Sequence, residues 1–434
     1  MNLAESYLLL IVMLAAVAVV TILFRGKNGL IVPTIFAAGL ITTLIAGLGF
    51  RIREVTEGPF VYVDTAMWVL CGAAFAYLLY TNGTYEYLFS KIIAKKRGAA
   101  VQMFLLILFI GLPGMITGSF MASVATTGLL AGRYLLSKGM EKSKVVEVVA
   151  VGSLMGMLLP PLCLPAMALT VGRQGIYPGS FEGYFLPILI LTLPALLTYC
   201  ILSGRRILGE FQADTEVSTA GSVACLIPMV VVALMVLGYN FLYNVIPYYG
   251  GYPVIYVVGF VLALVFKCKG ANPLLSAADG IRTVAIELAM IMSYACAIEV
   301  FNTVGVTGTL SAQLLLMGVS DTMIVVIGGI LVLIAGLLLG APFAYTLCAL
   351  VMFLAVNANY GYYELIMMGL GVIMALNLFT SLRGGIVDSV CDQLEITGVP
   401  GIQIVKRNII PVLLLAILAF VFMVGAAQLK FLMI

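Results

Sequence analysis

Apolar residues form long runs along the whole chain, and most charged residues lie in the short segments between them. A run of about 20 apolar residues is long enough to cross a bilayer as a helix. We predict spans near residues 6–24, 30–49, 63–82, 146–172, 184–203, 222–245, 252–266, 282–302, 364–396 and 409–429. Two further apolar segments, 99–137 and 322–358, are interrupted by glycine and proline. This pattern predicts an all-α polytopic membrane protein.

Composition supports the same class of protein. Hydrophobic residues make up 63% of the 434 residues and charged residues only 9%, whereas soluble domains are about 25% charged. So few charges could not solvate a soluble protein of this size. The chain has no histidine and no phosphate-binding glycine loop, so we expect neither an enzyme nor a resident cofactor. The net charge of +3 gives no reason to expect a nucleic-acid partner.

The positions of lysine and arginine predict the orientation of the spans. With the N-terminus outside, most of the 22 basic residues fall on the cytoplasmic side, in agreement with the positive-inside rule. This requires segment 99–137 to enter the membrane and return, because basic clusters flank both of its ends. Segment 322–358 has no basic flank and is expected to enter from outside. Both are predicted to be re-entrant helical hairpins.

Two parts of the chain share landmarks at a nearly constant separation. The paired positions are Gly118 with Ala341, Pro160 with Ser381, and Tyr177-Pro178-Gly179 with Val399-Pro400-Gly401. Each part is predicted to contain a hairpin followed by a broken transmembrane helix. The hairpins enter from opposite sides, so the repeats are inverted. Inverted repeats with discontinuous helices are typical of secondary transporters, so we expect a secondary transporter.

This repeat predicts a division of the chain into five parts. They are N-terminal scaffold helices with a cytoplasmic arm (1–98), a first transport repeat (99–183), central scaffold helices (184–321), a second transport repeat (322–401) and a C-terminal helix (402–434).

The interruptions are the candidate sites. Non-helical backbone at membrane depth is tolerated where it lines a cavity or is buried in protein, and it exposes amide and carbonyl groups to an ion or solute. The candidate ion-binding residues are Thr117, Gly118, Ser123, Gly156, Gly340, Ala341, Thr380, Ser381 and Asp388, and the candidate solute-binding residues are Ser119, Pro160, Pro161, Arg383 and Gly384. The alternative for each hydroxyl group is a hydrogen bond to its own helix.

Four charged residues are singled out within predicted spans: Glu299, Arg383, Asp388 and Asp392. Such residues usually face a cavity or a partner, because a charge at the bilayer centre costs about 2.5–3.5 kcal/mol. The Arg383 guanidinium would suit a solute carboxylate or would pair with Asp388 or Asp392. The two aspartates share a helix face and could accept Na⁺ or a proton.

Three motifs resemble one transporter family. Residues 116–128, ITGSFMASVATTG, resemble the hairpin tip of the large membrane subunit of tripartite ATP-independent periplasmic (TRAP) transporters, and GMLLPPLCLPAMAL at 156–169 resembles its broken-helix diproline motif. ITGVPG at 396–401 resembles the turn after its second broken helix. Where the family usually has Thr-Pro-Pro, this chain has Thr380-Ser381-Leu382-Arg383.

The resemblance implies an elevator carrier of the ion transporter superfamily that takes up a small organic acid with Na⁺ bound at the hairpin tips. It also implies two separate partners, a small membrane subunit and an external solute-binding protein. Two alternatives stay open. One is a stand-alone H⁺-coupled carrier or antiporter that uses Glu299, Asp388 and Asp392, and the other is a membrane scaffold subunit that does not transport.

Overall fold

The computed structural model describes residues 3–23, 31–60, 63–95, 97–163, 185–209, 222–242, 251–340, 343–344, 346–348, 350–351, 354, 363–381 and 385–432. Within these residues every element of regular secondary structure is a helix, which confirms the all-α class. The α-helices of this part of the chain are α1 Leu3–Leu23, α2 Ile31–Ile45, α3 Ile52–Phe60, α4 Val63–Thr81, α5 Thr84–Ile93, α6 Ala99–Thr117, α7 Phe120–Ser123, α8 Leu129–Ser137, α9 Lys142–Leu158, α10 Phe185–Leu208, α11 Ile227–Leu242, α12 Gly251–Val265, α13 Pro273–Thr303, α14 Val306–Leu316, α15 Asp321–Leu339, α16 Tyr363–Thr380, α17 Ile386–Gln393, α18 Gly401–Arg407, α19 Ile409–Val424 and α20 Ala426–Leu429.

Three of the described helices are long and apolar enough to cross a membrane, and the number rises to five if each sharply bent pair forms one span. One such pair is α18–α19, which bends by 75° at Asn408. Shorter apolar helices account for most of the other predicted spans. The pattern of a polytopic membrane protein is therefore confirmed.

Helices α3, α5 and α14 lie between the predicted spans. At the start of α3 the ion pairs Arg51–Glu54 (2.9 Å) and Arg53–Glu57 (2.7 Å) connect residues three and four positions apart. This spacing favours a helix in a polar sequence. Helix α13 also begins nine residues before the predicted span at 282–302. Its start is fixed by Asn272, whose side chain accepts hydrogen bonds from the Leu274 and Leu275 amides.

The internal repeat is visible in the helix bounds. Helices α6 and α15 both have 19 residues. The first residue of α15 follows the first residue of α6 by 222 positions, and their last residues are separated by the same number. Each ends at a glycine of positive φ, Gly118 at 73° and Gly340 at 99°, where a residue without Cβ avoids strain. Helices α9 and α16 also end 222 residues apart. Gly118 therefore pairs with Gly340, one residue before the expected Ala341.

The described helices pack in two groups that meet at the first hairpin. Helix α13 packs against α2, α3 and α4, and α12 packs against α4. In the other group α6 packs against α9 and α10, α9 against α16 and α17, and α16 against α15 and α19. Helices α4 and α13 also contact the first hairpin, through α6 and α7 respectively. The hairpin thus lies between the predicted scaffold and the two broken helices.

Candidate transport site

The first hairpin turns at Gly118 and Ser119. Helix α6 ends at Gly118, and Ser119 in an extended conformation begins the second arm, which runs through α7, a π-helical turn at Val124–Gly128 and α8. The turn lies at the predicted 117–119 segment. Pro113 lies four residues earlier, inside α6.

Two hydroxyl groups join the arms of this hairpin. The Gly114 amide donates to Ser123 Oγ (2.8 Å), and Thr127 Oγ1 donates to the Ile110 carbonyl (2.8 Å). In a regular α-helix the Gly114 amide and the Ile110 carbonyl would be partners of one another. Ser123, a predicted ion ligand, is fully buried here. Its hydroxyl oxygen therefore accepts a hydrogen bond that joins the two arms.

Glycines let the hairpin lie directly on the first broken helix. A Cβ on Gly156 would lie 2.5 Å from the Gly111 carbonyl oxygen, and a Cβ on Gly114 would lie 2.9 Å from the Gly156 carbonyl carbon. Real Cβ atoms do not approach backbone so closely. Gly156, a predicted ion ligand, is thus a contact point between α6 and α9.

The polar groups at the hairpin tip bond to one another. Thr117 Oγ1 donates to the Pro113 carbonyl (2.8 Å) and accepts from the Ser119 amide (3.0 Å). Ser119 Oγ accepts from the Ala122 amide (3.3 Å). For Thr117 the alternative of a hydrogen bond to its own helix is therefore realised.

Two helices of the predicted scaffold hold the α6 side of the tip. The Tyr256 hydroxyl of α12 donates to the Ile116 carbonyl. Gly72 of α4 faces the tip closely enough that a Cβ there would lie 3.3 Å from Thr117 Cγ2. These contacts fix the end of α6 from outside the hairpin.

Glu287 of α13 holds the other side of the tip. It is buried, and its carboxylate accepts hydrogen bonds from the Ser119 hydroxyl and from the Phe120 and Met121 amides. We did not single it out from the sequence, although it lies within the predicted span 282–302. The signal was available, because an acid inside a span is a candidate functional residue by itself.

The first broken helix ends where the diproline motif predicts. Helix α9 stops at Leu158, Leu159 is extended, and Pro160 and Pro161 follow with a cis peptide bond between them. Pro160 is buried and Pro161 is partly buried. Their predicted role in solute binding stays a prediction.

The second broken helix is interrupted between α16 and α17. Thr380 Oγ1 donates to the Leu376 carbonyl (2.9 Å), and the Ser381 amide bonds to the Asn377 carbonyl (2.9 Å). Ser381 is buried. The predicted site residues Ala341, Arg383 and Gly384 lie outside the described residues.

Asn377 lies where the second hairpin crosses its broken helix. Its side chain is fully buried and donates from Nδ2 to the Val332 carbonyl (3.1 Å). Its Oδ1 has no hydrogen-bond partner within the described part of the chain. A Cβ on Gly336 would lie 2.2 Å from this oxygen. A buried carbonyl-type oxygen without a donor is suited to a hard cation.

The predicted intramembrane acids differ in their surroundings. Asp388 is partly buried in the first turn of α17, where a negative charge is favoured. Asp392 is exposed near the end of that helix, and its position within a span stays a prediction. Glu299 is partly buried and has Glu54 and Glu57 of α3 as electrostatic neighbours.

Glu147 of α9 is a second buried acid that we did not single out. Its side chain is fully buried and forms an ion pair with Arg206 of α10, while Arg407 Nη1 of α18 lies 4.0 Å from its Oε2. The cluster joins the first broken helix to α10 and to the segment after the second repeat.

Comparisons with known proteins agree with this architecture. The family model described as "Tripartite ATP-independent periplasmic transporter, DctM component" matches residues 8–382. The YdaH transporter of Alcanivorax borkumensis is 13% identical, with a TM-score of 0.57 over 91% of this chain and 89% of its own. Neisseria gonorrhoeae MtrF, described with a class of antimetabolite efflux pumps, is 14% identical, with a TM-score of 0.55 over 89% of this chain and 84% of its own.

At these identities the two structures share the fold with this chain, and nothing more follows from them. A comparison with curated proteins gives no match. The family match covers most of the chain, and it agrees with the resemblance of the motifs at 116–128 and 156–169. The chain therefore belongs to the DctM component family of tripartite ATP-independent periplasmic transporters, and it is a multi-pass permease of a secondary transporter.

Proposed function

We propose that this protein is the permease of a Na⁺-coupled importer for a small organic anion. The observation that carries the proposal is the pair of broken helices, α9 and α16–α17, each crossed by a hairpin arm at corresponding positions. Half-helix ends at such crossings supply amides for an anion and carbonyl groups for a cation.

The second repeat supplies the best candidate ion ligands. Asn377 Oδ1 is buried without a donor, and Thr380 and Ser381 follow it at the end of α16. These three residues, with the Gly340 region of the hairpin, would hold Na⁺. Arg383, between Ser381 and Gly385 in the sequence, would bind the carboxylate of the solute.

We further propose an elevator mechanism in which the two repeats move together against a scaffold. The scaffold would include α4, α12 and α13, because these helices contact the tip of the first hairpin from outside both repeats. The family acts with other components, so we expect a separate small membrane subunit and an external solute-binding protein. The membrane would be the bacterial inner membrane, with the N-terminus outside.

Thermal unfolding of the purified protein tests the coupling ion. A ligand that binds only the folded state stabilises it by RT ln(1 + [L]/Kd), about 2.7 kcal/mol at 100 times Kd. We expect NaCl to raise the melting temperature above the values in KCl and choline chloride at equal ionic strength. Equal melting temperatures in the three salts would overturn the Na⁺ proposal.

Two variants place the ion in the second repeat. Asn377→Ala and Thr380→Val should remove most of the Na⁺-specific stabilisation. Thr309→Val is the matched control, because Thr309 Oγ1 bonds to the carbonyl four residues before it at 2.9 Å, as Thr380 Oγ1 does, but lies on α14, away from either broken helix. The control should keep the full Na⁺ effect.

Reconstitution with the two partner components tests the solute class and the H⁺-coupled alternative. Radiolabelled lactate, succinate and citrate are suitable probes of mono-, di- and tricarboxylates. Uptake should require a Na⁺ gradient, and Arg383→Lys should weaken it, since lysine lacks the planar donor fork. Uptake driven by a pH gradient without Na⁺ would instead support proton coupling.

A further inference from the structure

Glu287 has an unusual environment for a carboxylate. It is the 15th of the 31 residues of α13, about 21 Å from the helix start at 1.5 Å per residue. Its side chain is buried. Among the described residues no lysine or arginine forms an ion pair with it, and the nearest cation along α13, Arg282, lies 3.7 Å from Asp279.

All the described hydrogen-bond donors to Glu287 belong to the tip of the first hairpin. They are the Ser119 hydroxyl and the amides of Phe120 and Met121. The two amides are at the start of the second arm, where a helix carries a partial positive charge. Hydrogen bonds to a charged acceptor are about twice as strong as neutral ones.

The carboxylate and the docked tip therefore stabilise one another. If the hairpin moved away, the buried Glu287 carboxyl group would lose these donors, and it would have to remain charged without a partner or take up a proton, both of which cost free energy. In the same movement, the Phe120 and Met121 amides would lose their acceptor. A polar contact of this kind favours one position of the hairpin over any small displacement from it.

We propose that Glu287 is a positioning residue that holds the first hairpin against α13, and that this contact breaks and re-forms during each transport cycle. The second clause rests on the proposed function, since it needs the hairpin to move against the scaffold. The first clause concerns the resting protein alone. In this docked position the Ser119 hydroxyl, which we predicted to bind solute, is already occupied by Glu287.

Hydrogen–deuterium exchange of the purified full-length protein tests the docked contact. Glu287→Gln keeps the shape of the side chain and removes its charge. We expect amides at the hairpin tip, residues 119–123, to exchange at least about tenfold faster in this variant, a factor that corresponds to about 1.4 kcal/mol. Glu287→Asp keeps the charge and should restore part of the protection.

Matched variants separate this role from general destabilisation. Glu299→Gln removes the acid in the second half of α13, which is partly exposed and has α3 acids as neighbours, and it should leave the tip unchanged. The buried α16 segment 365–379 reports global opening. If Glu287→Gln also speeds exchange in segment 365–379, the variant destabilises the whole protein, and Ser119→Ala is then used to test the contact. It removes one donor and should speed exchange at the tip alone.

The outcomes distinguish the two proposals. Unchanged tip protection in Glu287→Gln, or in Ser119→Ala where that variant decides, would overturn the positioning role whatever ion drives transport. Faster exchange at the tip in a protein that Na⁺ does not stabilise would support the positioning role and overturn the Na⁺ coupling. Faster exchange with no loss of turnover in reconstituted uptake would overturn the proposal that the contact breaks in each cycle.

Discussion

The two hairpins have first arms of equal length but different surroundings. Both α6 and α15 have 19 residues and end at a glycine of positive φ. On α6 only Val101 is a strongly exposed large apolar side chain, whereas α15 exposes a row of them: Met323, Ile327, Ile330, Leu331, Ile334, Leu337 and Leu338. Lipid tails are as apolar as leucine, so hydrophobicity does not reveal whether a helix faces protein or lipid.

The crossings of hairpin and broken helix also differ. In the first repeat, backbone lies on backbone, at Gly111 and Gly156; in the second, Gly336 lies against the Asn377 side chain. The first crossing is thus a contact between two backbones, and the second contains Asn377 Oδ1, which has no hydrogen-bond partner in the described part of the chain. The comparison teaches that equivalent crossings in the two repeats are packed differently, by backbone in the first and by a polar side chain in the second.

The largest expected effect concerns the Glu147–Arg206 ion pair of the first broken helix. The second broken helix has no such pair at the corresponding place, which Met368 and Gly369 occupy in α16. Arg206→Gln would leave the Glu147 carboxylate buried without its main partner, which should cost about 3–5 kcal/mol of unfolding free energy. SDS titration of the purified protein measures this value.

Glu147→Gln is the companion variant. Its cost should be smaller, because the side chain of Arg206 is 38% exposed and water can reach it. A larger loss in Glu147→Gln than in Arg206→Gln would show that the buried carboxylate is not the costly member of the pair.

The two crossings should respond differently to one added methyl group. Gly156→Ala places a Cβ 2.5 Å from a backbone oxygen, whereas Gly336→Ala places one 2.2 Å from the movable end of a side chain. We expect Gly156→Ala to cost about 1–3 kcal/mol and Gly336→Ala to cost less. Gly308→Ala, with no atom within 4 Å of its added Cβ, serves as the control, and equal losses at both crossings would remove the contrast.

The two turns should differ in their response to an added side chain. Gly118 is in the left-handed helical conformation, with φ 73° and ψ 0°, where a side chain costs about 1–2 kcal/mol. Gly340, with φ 99° and ψ 166°, is in a region that essentially only glycine adopts. Gly340→Ala should therefore destabilise the protein more than Gly118→Ala in the same SDS titration, and equal losses would argue against this difference between the turns.

The smallest effect is expected for the uncharged contact that holds the tip of the first hairpin, the hydrogen bond from Tyr256 to the Ile116 carbonyl. Tyr256→Phe removes the hydroxyl that donates to the Ile116 carbonyl, a bond worth about 0.5–1.5 kcal/mol. Hydrogen exchange at residues 114–118 should increase slightly, and less than exchange at 119–123 does in Glu287→Gln. A greater effect of Tyr256→Phe would make the neutral contact the principal anchor.

The sequence predicted the fold well because its signals are local. Glycine, proline and serine at 117–119 and 158–161 mark helix ends through the conformations that they allow, and the charge distribution marks the hairpins. Helix α6 tolerates Pro113 in its interior because the hydroxyl groups of Ser123 and Thr127 bond to the nearby backbone.

The candidate site was less predictable because partners of buried charges are set by tertiary packing. Glu147 and Glu287 were visible in predicted spans, but their partners Arg206 and Ser119 lie 59 and 168 residues away in sequence. No local pattern indicates which helix an acid will face. Exposure of Asp392 at the end of α17 is likewise a property of the packed chain.

The two hydroxyl bonds between the arms of the first hairpin also bear on biosynthesis. Because they lie within a single stretch of chain, from Ile110 to Thr127, they can form as soon as that stretch leaves the ribosome. The corresponding arm of the second repeat is made 222 residues later, roughly 10–45 s at about 5–20 residues per second. During that interval the first hairpin can lie in the bilayer with these backbone groups already bonded, before the second repeat exists.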